Sequence, residues 1–127
     1  MTLGDLRERA LCTLAALSES RVRDFSVGEG SWPLRGLVAL QNGTVHAYQN
    51  RCPHAGHALN LRPNEFMDAT GSWLVCRSHG ARFDISSGEC IAGPCMGQAL
   101  RRIPVYVENG SVYVAPGVDP DAYLARS

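Results

Sequence analysis

Two short segments constrain this chain more than any other feature: Cys52-Pro53-His54 and Cys76-Arg77-Ser78-His79. Each offers one thiolate and one imidazole. Each sits where a strand-like apolar run gives way to a loop, one after Thr44 to Gln49 and the other after Trp73 to Val75. Two loops leaving neighbouring strands can converge on one metal centre. Two sulfur and two nitrogen ligands suit a tetrahedral zinc or an iron–sulfur cluster of mixed ligation, and the donor set alone leaves both open. Gly56 and Gly80 stand beside the two pairs, where they let backbone pass close to such a centre.

The rest of the chain reads as strands and turns. Leu34 to Gln41 and Thr44 to Gln49 flank Asn42-Gly43, and Ile103 to Glu108 and Ser111 to Ala115 flank Asn109-Gly110. Asn-Gly between alternating apolar runs is the strongest short-range hairpin signal. Trp73 to Cys76 reads as a further short strand. Ser86-Ser87-Gly88 turns the chain between Ala81–Ile85 and Glu89–Ile91, and Trp32-Pro33 marks a loop. This pattern predicts an antiparallel all-β domain. Before it, Leu3, Leu6, Ala10, Leu14 and Leu17 recur at helical spacing and predict an amphipathic helix over 3–17, packed on its own domain or serving as a dimer or partner contact. The resulting division is a helical extension over 1–20, the β domain over 21–116 and a tail over 117–127 that forms one helical turn or frays.

Charge excludes some functions. Twelve acidic residues balance twelve basic ones, all of them Arg, so no net field points to nucleic acid or an anionic membrane. No run reaches the length of a membrane span, and acids among the first residues argue against a secretory signal. Five cysteines, an odd number without an export signal, argue against a disulfide framework and for the cytoplasm.

The residues around the two pairs carry a resemblance. Cys52-Pro-His54-Ala-Gly56-His57-Ala-Leu59 is similar to the first box of Rieske proteins, and Cys76-Arg-Ser-His79-Gly80-Ala-Arg-Phe83-Asp84 with Gly88 to the second. Gly93-Pro94 resembles the loop that covers the cluster in that family. The resemblance spans about residues 21–115. It implies a Rieske-type β-sandwich whose cluster-binding part is built from about 50–60 and 76–95. It further implies one [2Fe–2S] cluster, with Cys52 and Cys76 on one iron and His54 and His79 on the other. Gly56, Gly80, Ala81, Phe83 and Pro94 would then cover or adjoin it. Neutral imidazoles in place of two thiolates raise the potential above that of an all-Cys ferredoxin. The family's commoner spacing between boxes is shorter than the twenty-one residues that separate His54 from Cys76 here. Arg62-Pro-Asn-Glu65 and Asp68-Ala-Thr-Gly71 read as an added hairpin or loop.

The resemblance also selects a branch. Respiratory Rieske proteins brace their boxes with a disulfide; the corresponding positions here are His57 and Ser78. They also place hydroxyls where this chain has Ala81 and Phe83. Without those donors to sulfur, the cluster is expected near the low end of the Rieske range. The chain thus resembles an oxygenase-associated Rieske ferredoxin, an electron carrier rather than an enzyme, between a flavin-dependent NAD(P)H reductase and a terminal oxygenase. The alternatives are a Rieske-type small subunit of a larger redox enzyme such as nitrite reductase, and a zinc-stabilised structural module. His57 reads as a residue near the centre rather than a ligand, and His46 as a plain strand residue. Arg51, Arg62, Arg77 and Arg82 form either a solvated rim or a docking face for an acidic partner. Cys12 reads as a small buried residue, and Cys90 and Cys95 as thiols in the cluster's apolar cover.

Overall fold

The computed structural model describes residues 10–27, 34–53, 58–60, 65–68, 70–76 and 80–116. In chain order the elements are β1 (Cys12–Thr13), α1 (Leu14–Ser20), β2 (Val22–Val27), β3 (Leu34–Gln41), β4 (Thr44–Gln49), β5 (Leu74–Val75), β6 (Arg82–Phe83), β7 (Cys90–Ala92), β8 (Val105–Glu108) and β9 (Ser111–Val114). The strands pair antiparallel in the orders β1-β9-β8, β2-β3-β4 and β5-β6-β7. The all-β expectation holds.

Both Asn-Gly pairs close the hairpins they predict. Asn42 and Gly43 have φ of 52° and 77°, and Asn109 and Gly110 have 51° and 78°. Two consecutive positive φ values match the right-handed twist of the flanking strands, and Asn and Gly tolerate them best. β3 explains its own composition. Leu34 and Val38 enter one apolar cluster with Leu17, Ala47, Ile103, Val112 and Val114, whereas Leu37 and Ala39 enter another with Val22 and Tyr48. Side chains alternate along a strand, so a strand covered on both faces reads as a nearly continuous apolar run. The second cluster continues through Leu59, Phe66, Leu74, Phe83, Ile85 and Leu100 into the part that carries the Cys/His segments. Residues 98–103 link the two regions. Cys90 N donates to Gln98 O and Leu100 N to Gly88 O, while Gln49 N donates to Arg101 O and Ile103 N to Ala47 O.

The helix differs from its prediction. It starts at Leu14 because Thr13 caps it, its hydroxyl accepting from Ala16 N at 3.1 Å. Cys12 and Thr13 are instead extended and pair with Val112 and Ser111. The helix ends at Arg21, whose φ of 68° forms a left-handed cap. Residues 3–9 lie outside the described part, as do Trp32-Pro33 and the tail 117–127. Leu17 is fully buried in the chain's own core, which favours the intrachain packing. Cys12 is only half-buried. Among the described residues no helix is long and apolar enough to cross a membrane.

Two turns are held by aspartates. Between the Cys/His segments, Met67 bridges Leu74 and Val75 N donates to Phe66 O, so a hairpin pairs 66–67 with 74–75 inside the expected hairpin or loop, whose residues 61–64 and 69 lie outside the described part. The Asp68 carboxylate accepts from Thr70 Oγ1, Ser72 N and Trp73 N across its tip. Arg21 ties the hairpin to the helix end, donating from Nη1 to Gly71 O at 2.6 Å. After the second segment, Asp84 Oδ1 accepts from Ser86 N and Ser86 Oγ, each at 2.9 Å. The Ser86 N–H holds the Asp84 carboxyl below its ordinary value of 3.8; burial opposes this, and the Ser86 and Ser87 hydroxyls add to it. The unfolded chain therefore binds the extra proton near pH 3.8, and this contribution is present above that pH and lost as pH falls through the folded value. Asp84→Asn is expected to lower the unfolding midpoint by a few degrees at neutral pH. The gap to the parent should narrow below pH 3.8, as thermal melts across acid pH would read.

Candidate metal centre

Cys52 lies just past β4 and Cys76 just past β5. Both side chains are 0% exposed and belong to the same apolar cluster. The fold thus brings the two predicted sulfur ligands, 24 positions apart, into one buried region. His54, Gly56, His57, Arg62, Arg77, Ser78 and His79 lie outside the described residues.

The first segment is anchored by a residue the sequence reading passed over. Asn50 N donates to Arg35 O at 2.9 Å; its Oδ1 accepts from Leu59 N at 2.8 Å, and its Nδ2 donates to Asn60 Oδ1 at 2.9 Å. One side chain therefore joins both ends of the loop that starts at Cys52. The available signal was a polar residue directly after an alternating strand, flanking the ligand box. The residues on either side of the second segment are joined. Cys76 N donates to Ala81 O at 2.9 Å and Gly80 N to Cys76 O at 2.8 Å. Gly80 has φ of +72°, and a Cβ built there would meet nothing within 4 Å. The left-handed backbone by itself calls for glycine at this position.

Crowding does apply at Gly93. Its φ is +101°, and a Cβ would lie 2.8 Å from Ala81 Cα. The Gly93-Pro94 loop therefore rests directly on the second segment, with Pro94 itself exposed. Ala81 and Phe83 are both 0% exposed in the cluster that holds the two thiols, and neither brings a hydroxyl.

Cys90 and Cys95 adjoin this region. Cys95 Sγ donates to Cys90 Sγ at 2.8 Å, and Cys90 Sγ to Ala92 O at 3.3 Å. Burial, reinforced by the Cys90 contact and by nearby Cys52, pushes the Cys95 thiol up to about 12. His46 lies on β4 as predicted, with its Nδ1 buried and without a hydrogen-bond partner. Burial pushes its imidazole below the ordinary value; Arg102 adds to this and Asp84 opposes it. Arg82 is exposed and Arg51 half-buried.

The donor chemistry fits an iron–sulfur cluster. Neither Cys52 nor Cys76 is in a disulfide. Among the described residues no buried charged side chain accompanies them. A thiolate in such surroundings gains its counter-charge from a bound cation, and metal binding displaces the thiol proton.

Comparison with known proteins agrees. The Rieske [2Fe-2S] domain family model matches residues 10–114. The chain is 28% identical over 118 residues to the ferredoxin component of the alkene monooxygenase system of Xanthobacter autotrophicus, covering 91% of this chain and 85% of that protein. It is 31% identical over 110 residues to apoptosis-inducing factor 3 of Homo sapiens, covering 87% of this chain but only 16% of that longer protein. Among solved structures, the ferredoxin of carbazole 1,9a-dioxygenase from Nocardioides aromaticivorans superposes with a TM-score of 0.65 at 27% identity, covering 85% of this chain and 96% of that one. The family implies a [2Fe–2S] cluster and sets the zinc reading aside. On its buried thiols, the joined flanks of its second box and this match across most of its length, the chain belongs to the Rieske [2Fe-2S] domain family.

Proposed function

We propose that this chain is a one-electron carrier that takes electrons from a flavin-dependent NAD(P)H reductase and passes them to a terminal oxygenase. Cys52 and Cys76 hold one iron of the cluster, and His54 and His79 the other. The Rieske domain occupies 21–116, with 1–20 an extension and 117–127 a tail. The observation that carries this reading is the joint burial of Cys52 and Cys76 in one apolar cluster at the ends of two loops. The ferredoxin components of oxygenase systems that the chain resembles over most of their length support the oxygenase as acceptor. When bound, the cluster supplies a reversible one-electron change.

The chain's own residues set the conditions for it. Leu59 and Phe83, both 0% exposed, help keep water from the sulfur side. Asn50 fixes the first loop, and the Cys76–Ala81 hydrogen bond closes the second. Ala81 and Phe83 offer no hydroxyl to cluster sulfur, which keeps the potential low. A reducing cytoplasm suits the five thiols.

The test is iron and acid-labile sulfide analysis with electron paramagnetic resonance of the dithionite-reduced protein, followed by redox titration. We expect a [2Fe–2S] signal and a potential of roughly −150 mV. Absence of iron and sulfide would overturn the carrier reading. A potential above about +100 mV would overturn the tuning by Ala81 and Phe83. A second reading, a Rieske unit working inside a larger redox protein, is favoured by the match to human apoptosis-inducing factor 3, of which the chain spans 16%. Turnover of an oxygenase with this chain as a diffusible component separates the two.

A further inference from the structure

Cys90 and Cys95 have no part in the proposed ligand set, yet their sulfurs lie 2.8 Å apart. They bracket the turn that carries Gly93-Pro94. Cys90 ends the β6–β7 pairing opposite Phe83, and Cys95 accepts through its carbonyl from Gln98 N at 2.9 Å. Both backbone positions are therefore fixed by hydrogen bonds, and the sulfurs meet as a consequence of the fold. Closing them to the ~2.05 Å of a disulfide takes less than about an ångström. Cys95 is 2% exposed and Cys90 6%. A way in lies on the Cys90 side, where a cavity of about 400 Å³ is lined by Glu89, Cys90, Gly97, Gln98 and Ala99. Cys95 does not line it.

We propose that Cys90 and Cys95 form a reversible dithiol–disulfide couple, a modification site entered through the cavity at Cys90 and oxidised by small-molecule disulfides. The cavity gives the order of events. The Cys90 sulfur, as its thiolate, attacks one sulfur of the reagent. A mixed disulfide forms on Cys90, the reagent's S–S bond breaks, and one reagent thiol leaves with the proton Cys90 gave up. The Cys95 sulfur then attacks Cys90 Sγ; the mixed S–S bond breaks as the internal one forms, and the second reagent thiol leaves with the proton that Cys95 gave up. Two protein thiols are oxidised and one reagent disulfide is reduced to two thiols, so atoms and electrons balance. Because Gly93 rests on the Ala81 backbone, the closed ring would pin the turn that abuts the second Cys/His segment.

The chain is well arranged for a test. Cleavage after Arg places Cys90 and Cys95 on one peptide, 83–101, whereas Cys52 and Cys76 share 52–77 and Cys12 falls on 10–21. Cluster-loaded protein is incubated with oxidised glutathione, quenched in acid, labelled with a maleimide, digested and weighed. Peptide 83–101 is expected to lose the mass of two hydrogens and to carry no maleimide. Dithiothreitol should restore both labels. In Cys95→Ala the reaction should stop with one glutathione on Cys90. Maleimide on both cysteines after oxidation would overturn the couple, as would a glutathione adduct that persists on Cys90 in the parent chain. These readouts fall on a different peptide from Cys52 and Cys76, and the ligand assignment is read from iron content, so the couple and the assignment fail separately.

Discussion

Cys52→Ser and Cys76→Ser are each expected to leave the purified chain nearly without iron and acid-labile sulfide. Both thiols sit at 0% exposure in an apolar cluster that contains no buried charged side chain among the described residues. A serine hydroxyl there is a far poorer iron ligand than a thiolate, and left unpaired it costs about 1–3 kcal/mol. Groups that merely orient a metal ligand cost about 10–100-fold in affinity when removed. Loss of a ligand should exceed that, so iron content should fall at least about tenfold. Metal binding also contributes folding free energy, so thermal stability should fall with the iron. His54→Ala and His79→Ala are expected to behave alike.

The same experiment separates competing ligand sets. Cys90 and Cys95 belong to the cluster that holds Cys52 and Cys76, and burial alone does not exclude them as ligands. Cys90→Ser, Cys95→Ser and Cys12→Ser should all retain iron and sulfide. Cys12 lies apart, beside the other apolar cluster, and is the neutral control. Full iron in Cys52→Ser, or its loss in Cys95→Ser, would overturn the assignment. The measurement is colorimetric iron and sulfide per chain, with circular dichroism to show that the sheets remain.

How far the sequence could be read depends on whether a signal was local. Asn42-Gly43 and Asn109-Gly110 carry their own turn geometry, so both hairpins were legible to within about two residues. The joint burial of Cys52 and Cys76 was foreseeable because each follows a strand, and metal ligands must meet. The break at Cys12 and Thr13 was missed because Leu3 to Leu17 keeps an apolar period through both. The competing signal was Thr13 as a cap, together with the chance for Cys12 and Thr13 to pair with β9, a partner about a hundred residues away. Such long-range pairing leaves no mark in a local period. Asn50 was missed for a related reason: its partners Arg35, Leu59 and Asn60 come together only in the fold. The left-handed φ of Gly80 was not legible either, since a pattern of glycines does not distinguish a backbone that needs positive φ from one that needs room.

Tyr48→Ala should be the most destabilising substitution away from the proposed ligands, by about 4 kcal/mol. Tyr48 is fully buried on β4, where that strand meets the second Cys/His region. Its hydroxyl donates to Ile85 O at 2.7 Å, and Arg102 Nη2 donates to that hydroxyl at 3.2 Å. The Arg102 guanidinium also lies over the ring, 5.2 Å from its centroid. Tyr48→Phe removes only the hydroxyl and leaves Ile85 O without its donor, at a cost of about 1–2 kcal/mol. Gly88 faces the ring from the Asp84 turn, with φ of +77° and a would-be Cβ 2.7 Å from Tyr48 Cε1. Gly88→Ala therefore pays about 1–2 kcal/mol for left-handed backbone and must also displace a ring held by two hydrogen bonds. Because that displacement needs the ring, the double variant should cost measurably less than the sum of the singles, by about 1 kcal/mol or more. Urea unfolding of the four chains reads this directly, and the Tyr48→Ala midpoint should fall by roughly 10–20 °C on heating. Strict additivity would mean that Gly88 is kept for its backbone alone, and that the Asp84 turn does not depend on Tyr48 for its place beside the metal centre.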